Sequence, residues 1–138
     1  MSVIRTDETR RTETPAGVMT TLASPAQGGA AQVMWRVEMP PGASGPLHAF
    51  DAEQVWTVLD GGATVERAGE PLALAAGDTI VLPADAARQV FADPVRGFTA
   101  IAAAPAGALA YSPGAALDVK PDCAMPAGDG RLAPAWLV

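Results

Sequence analysis

Few residues in this sequence could carry chemistry. His48 is the only histidine among 138 residues, and imidazole is the side chain most readily poised to move a proton near neutral pH. Arg88 presents a planar fork of N–H donors that suits a carboxylate, an enolate or a phenolate better than a point charge would. Gln54 and Trp56 stand two apart in an apolar run, so on a strand their side chains emerge on the same face. Asp51 and Glu53, close by in sequence, read as solvated carboxylates. Cys123 is the only cysteine; it lies in a Pro- and Gly-rich stretch with no activating base and reads as an inert thiol. A proton-transfer site, with an oxyanion accepted by the arginine, is the chemistry these types could support together.

Positioning such groups falls to short strands. Fourteen Gly and thirteen Pro punctuate apolar runs at intervals of about ten residues, which is the spacing of a sandwich or barrel. The runs read as strands are Gly17–Ala23, Gln32–Met39, Gln54–Leu59, Ala63–Arg67, Pro71–Ala75, Thr79–Leu82, Arg88–Phe91 and Gly97–Ala103. In Gln32–Met39, Val33, Trp35, Val37 and Met39 alternate with Met34, Arg36 and Glu38, giving one apolar and one partly polar face. Arg36 and Glu38 read as members of an ordinary cross-strand ion pair. Asp60-Gly61-Gly62 tolerates positive φ between two strand-like runs and predicts a hairpin turn; Gly69 and Gly77-Asp78 predict the next two. The alanine-rich stretches Leu72–Ala76 and Ile101–Ala110 allow a helical alternative, against which Pro71, Pro105 and the neighbouring glycines argue.

The chain divides into an N-terminal arm (1–15), a barrel (16–111) and a Pro/Gly-rich C-terminal arm (112–138). The apolar close, Pro134-Ala135-Trp136-Leu137-Val138, is expected to cover the sheet or a dimer partner. A hydrophobic fraction of 49% supports a real core. The net charge of −6 and nine scattered Lys and Arg leave no basic face for nucleic acid. No stretch approaches the roughly 18 apolar residues needed to cross a bilayer, and the polar residues Met1–Pro15 do not read as a signal peptide, so a cytoplasmic location without membrane partners is expected.

Two stretches carry a family resemblance. Gly42-Ala43-Ser44-Gly45-Pro46-Leu47-His48-Ala49-Phe50-Asp51-Ala52-Glu53-Gln54-Val55-Trp56-Thr57-Val58-Leu59-Asp60-Gly61 resembles the first cupin motif, in which a glycine precedes by six residues a His-x-His pair, followed by a glutamate, a strand and a turn glycine. Gly42, His48 and Gly61 fit; Phe50 takes the second histidine position, and Gln54 best matches the glutamate. Gly77-Asp78-Thr79-Ile80-Val81-Leu82-Pro83-Ala84-Asp85-Ala86-Ala87-Arg88 is similar to the second motif, with Arg88 in place of its histidine. The resemblance spans about residues 32–104 and implies an all-β, jelly-roll barrel of cupin type.

It also implies a site. In the family the positions of His48, Phe50, Gln54 and Trp56 face the barrel interior, which gives a pocket with apolar walls from Phe50, Trp56, Val58 and Leu82. His48, Gln54 and Arg88 are then its polar groups, a composition suited to a small organic ligand. Trp35 and Trp136 read as packing residues. Cupin metal sites use three histidines and a carboxylate. Of these one remains, and a neutral amide beside one imidazole is a poor set for a transition metal. A fixed guanidinium about 5 Å from a dication would add roughly 7 kcal/mol of repulsion at an effective dielectric near 20. No cofactor is therefore expected, the alternative being iron, nickel or zinc on His48 and Gln54. The favoured function is a metal-independent acid–base enzyme with His48 and Arg88 catalytic and Phe50, Gln54, Trp56 and Val58 holding a small anionic or enolisable substrate. Isomerases, lyases and the cyclases of aromatic polyketide pathways are the resembling classes. A metal-dependent dioxygenase or cyclase and a non-catalytic ligand-binding module are the alternatives. Exposed strand edges and the apolar close suggest a homodimer.

Overall fold

The computed structural model describes residues 1–113 and 130–138. Cys123 lies outside the described residues. Ten strands are present among those described: β1 Arg10–Thr14, β2 Gly17–Ala23, β3 Gln32–Met39, β4 Ala49–Phe50, β5 Gln54–Arg67, β6 Glu70–Ala75, β7 Thr79–Leu82, β8 Arg88–Ala92, β9 Phe98–Pro105 and β10 Ala110–Tyr111. Neighbouring strands pair antiparallel throughout. The architecture is all-β, a jelly-roll barrel whose layers meet on one apolar interior.

Strand β5 joins the layers. Its first half pairs with β7 and β9, and its second half with β6 and β8. The expected hairpin at Asp60-Gly61-Gly62 does not form; the chain runs straight through as one 14-residue strand. The glycines instead serve a bulge between Val58 and Asp60, where β5 leaves one sheet for the other. Gly61 sits at φ +69°, and a Cβ there would lie 2.0 Å from the Gly97 carbonyl oxygen. The turn expected at Gly69 does form: Ala68 and Gly69 both have positive φ and link Arg67 to Glu70 as a two-residue hairpin loop.

Alanine abundance has a packing cause. Strand β9 lies between β3 and β5, and Ala102 is the register partner of both Trp35 and Trp56. Ala100 stands likewise between Val37 and Val58. Two indoles meeting over one position leave room only for a small residue, so β9 reads Ala at every buried position from 100 to 104. The same alternation that could be a helix is here a strand buried along one face.

Both ends differ from simple extended arms. Arg10–Thr14 forms an added edge strand on β2. Its polar composition on both faces hid it from periodicity. Ala135–Leu137 makes a single 3-10 turn that packs on β1, β2 and β3, with Leu137 buried in the core. The apolar close thus covers its own barrel.

Gly61→Ala should destabilise the fold by about 2–4 kcal/mol, since it adds both positive-φ strain and a backbone clash at the strand crossover. Urea denaturation of the two proteins measures this, and Gly69→Ala, where no atom lies within 4 Å of a new Cβ, should cost less.

Candidate functional site

A cavity of about 150 Å³ opens between the layers, lined by residues that include His48, Phe50, Gln54 and Trp56. Each is placed by simple geometry. His48 lies opposite Arg88 in an isolated antiparallel bridge, with His48 N donating to Arg88 O (3.1 Å) and Arg88 N to His48 O (2.9 Å). Phe50 is on β4, and Gln54 and Trp56 are two apart on the inner face of β5. The remaining wall is apolar, with Met19, Trp35, Val37, Met39 and Val90 contributing.

Gln54 is the centre of the polar network. It is fully buried, and its Oε1 accepts from both Trp56 Nε1 (3.0 Å) and Arg88 Nη2 (3.0 Å). Two obligate donors on one atom fix the amide orientation, because the flipped amide would set N–H against N–H. Its Nε2 is then the end turned away from those two donors. This buried atom has no hydrogen-bond partner among the described residues, and such an orphan donor costs on the order of 1–3 kcal/mol. The side chain that carries it lines the cavity.

Arg88 is fully buried, and among the described residues it forms no ion pair. Its guanidinium lies 4.8 Å from the Phe50 ring centroid and donates to Gln54 Oε1 and, from Nη1, to Ala86 O (3.3 Å). Burial pushes its pKa down to about 10, a shift opposed by Tyr111, and it stays cationic at neutral pH. It faces inward, as the motif suggested, but stands behind Gln54 and Phe50 and is not part of the cavity lining. Its influence on a ligand passes through its field and through the amide it holds.

His48 is half-buried. Its Nδ1 lies 2.7 Å from Pro46 O, and since a carbonyl can only accept, the neutral ring carries its proton on Nδ1 and leaves Nε2 as an acceptor. The ring stands edge-on to Phe50 at 5.3 Å. Burial, helped by the Arg88 charge and opposed by the Pro46 contact, lowers its pKa to about 4.

Other expectations land differently. Val58 and Leu82 are buried in the core and do not line the cavity. Trp35 and Trp136, read as packing residues, both line it. Periodicity marked the inner face of β3 but could not separate core from cavity wall. Met34 faces outward, and Phe98 stacks behind Trp56 at 6.1 Å. Arg36 and Glu38 pair within one strand, 3.8 Å apart, rather than across strands. Asp51 is not simply solvated: its Oδ1 accepts from Leu109 N (2.7 Å) and its Oδ2 lies 3.5 Å from Arg131 Nη1.

Fold and cavity define a double-layer β-barrel with an apolar pocket between its layers. Residues 35–94 match the family model described as Cupin domain, and the fold is that of a small single-domain cupin. A cupin 2 domain-containing protein from Halorhodospira halophila has the same fold, with TM-score 0.67 and 21% identity over 75% of each chain. The polyketide cyclase RemF from Streptomyces resistomycificus aligns with TM-score 0.66 and 19% identity, covering 76% of this chain and 79% of its own. KdgF from Halomonas sp. aligns with TM-score 0.63 and 21% identity, covering 76% and 94%. No curated protein matches the chain in sequence.

The fold family implies a metal, and the residues at its ligand positions do not fit one. Phe50 has no donor atom. The Gln54 oxygen is already engaged by two N–H groups, and Arg88 puts a fixed positive charge where an imidazole would coordinate. Among the described residues, no three of His, Cys, Asp and Glu gather closely enough to hold an ion.

A histidine held neutral makes stability depend on pH with a definite sign. The folded pKa near 4 lies below the unfolded value near 6.5, so between these the unfolded chain binds the extra proton. Stability is full above about pH 6.5 and falls as pH drops towards 4. An NMR titration of this single imidazole should show a midpoint near 4, and His48→Gln should flatten that part of the stability profile. A midpoint near 6.5 would contradict the buried, neutral state.

Proposed function

We propose that this cupin binds a small, largely apolar molecule carrying a hydroxyl or enolisable carbonyl and catalyses proton transfer on it without a resident metal. The observation that carries the reading is the Gln54 amide: its orientation is locked from behind by Arg88 and Trp56, and its unpartnered Nε2 belongs to a cavity-lining side chain. Beside it, His48 contributes a proton acceptor at Nε2. An acceptor and a donor on one cavity wall complement a hydroxyl group, which donates to the first and accepts from the second.

The chemistry follows from those two atoms. His48 Nε2 takes a proton from a carbon next to a carbonyl or from a hydroxyl, and the electron pair left behind moves onto the substrate oxygen. Gln54 Nε2–H donates to that oxyanion, and the buried Arg88 charge stabilises it across the low-dielectric wall. The imidazolium then returns its proton to a different atom of the substrate, leaving the enzyme unchanged. Isomerisation, elimination or ring closure all fit this sequence, which supports a reading as an isomerase, lyase or cyclase. Neutral His48 is fully available as a base at pH 7, and the oxyanion that forms beside it offsets the Arg88 repulsion of the imidazolium.

One observation favours a second reading. A pKa near 4 makes His48 a weak base, and a barrel that only recognises a hydroxyl through the same two atoms would serve as a binding module.

Solvent-deuterium exchange at the α-carbons of cyclohexanone and acetophenone, followed by NMR, separates these readings. The wild-type chain should accelerate exchange; His48→Ala should lower the rate by about 10²-fold or more, and Gln54→Leu by a similar factor, each loss exceeding the accompanying loss of ligand affinity. Binding with no exchange in the wild type selects the binding module. About one equivalent of iron, nickel or zinc per chain, in protein purified without added metal, would overturn the metal-free mechanism.

A further inference from the structure

Part of the cavity wall comes from outside the barrel strands. Leu132, Pro134, Ala135 and Trp136 line it together with the strand residues, and the segment that bears them is firmly tied down. Leu132 exchanges two backbone hydrogen bonds with Ala110, at 2.7 and 2.8 Å. Thr21 Oγ1 donates to Trp136 O (2.7 Å) and Ser24 Oγ to Val138 O (2.9 Å), while Arg10 Nη2 also donates to Val138 O. Thr21 and Ser24 are fully buried polar residues, whose hydroxyls would be costly to leave unpaired, and each directs its hydroxyl to this segment. Leu137, 4% exposed, anchors it in the core.

This wall bears on the size of what can bind. An apolar cavity of roughly 150 Å³ accommodates benzene, whereas drug-sized ligands occupy roughly 300–1,000 Å³. The present cavity, at about 150 Å³, is therefore a one-ring cavity. Trp35 and Trp56, meeting over Ala102, and Trp136 supply flat apolar surface to such a ring.

We propose that Leu132–Trp136 is the specificity-determining wall of the site and that it restricts the ligand to a single-ring hydroxyl or carbonyl compound. The inference rests on the ligand-site reading above and adds to it a size class and the residues that enforce it. Multi-ring aromatic substrates, the class suggested by the resemblance to polyketide cyclases, are excluded while the segment is in place. Trp136 is the largest side chain of this segment in the lining, and Thr21 acts indirectly by seating the Trp136 backbone.

Calorimetric titration of the full chain with 4-methylphenol and with 2-naphthol tests this. The wild type should bind 4-methylphenol at least about tenfold more tightly than 2-naphthol. Trp136→Ala should erase that preference by admitting the naphthol, and Thr21→Val should weaken it in the same direction; Trp136→Phe should keep most of it. Near-UV circular dichroism checks that each variant is folded, and Trp136→Leu carries the same comparison if Trp136→Ala does not fold. An unchanged preference in the folded truncation overturns the wall while leaving the ligand-site reading intact, as does equal binding of both compounds by the wild type. Failure of the wild type to bind either compound overturns both.

Discussion

A guanidinium sealed inside a β-barrel, with no carboxylate partner among the described residues, is the constraint around which this site is arranged. Removing a charge from water costs several kcal/mol even after the protein relaxes, so Arg88 must be held by whatever dipoles and π-faces the interior can supply. The Phe50 ring, the Ala86 carbonyl and above all the Gln54 amide oxygen perform that role. The consequences spread outward. Because the amide oxygen faces the arginine and the Trp56 indole, the amide nitrogen is left as the free end. Burial, reinforced by the positive charge close by, holds the His48 imidazole neutral. The residues that replaced the family's metal ligands thus form one interlocked group, in which each side chain constrains the protonation or orientation of the next.

Packing imposes a second, steric constraint. Strand β9 could not carry large side chains at Ala102, where indoles from both neighbouring strands converge. The same arrangement puts two tryptophans on the cavity wall, so the rule that makes β9 alanine-rich also makes the cavity aromatic. Closure is then completed from beyond the strands by the Leu132–Leu137 segment, held through buried hydroxyls on β2 and just after it.

Within the cupin architecture, the change at the ligand positions is one of electrostatic sign. A cation-binding set of imidazoles and a carboxylate has become a built-in cation with an amide donor, which suits the oxygen-bearing ligand proposed above. The barrel tolerates this because its strands are positioned by backbone pairing and glycine geometry, as at Gly61, which do not depend on which side chains stand at the ligand positions.

Much of this was written in residue order. Alternation in Gln32–Met39, the Ala68-Gly69 turn and the two motif stretches determine strands, a hairpin and the family without reference to tertiary contacts, because they rest on local backbone preference and a period of two. Parity likewise places Gln54 and Trp56 on one face. What the chain order could not decide is anything set by contact between distant segments. Asp60-Gly61-Gly62 has the composition of a turn, and only the Gly97 carbonyl packed against it makes it a strand crossover instead. Arg10–Thr14 shows no periodicity and is a strand only because β2 offers it an edge. Arg88 reads as a substrate-facing group until Gln54 and Phe50 are seen in front of it, and Trp136 as a packing residue until its segment is seen to close the cavity. Local rules act over a few residues, whereas a cavity wall is assembled from residues up to about a hundred positions apart, and the chain must fold before that wall exists.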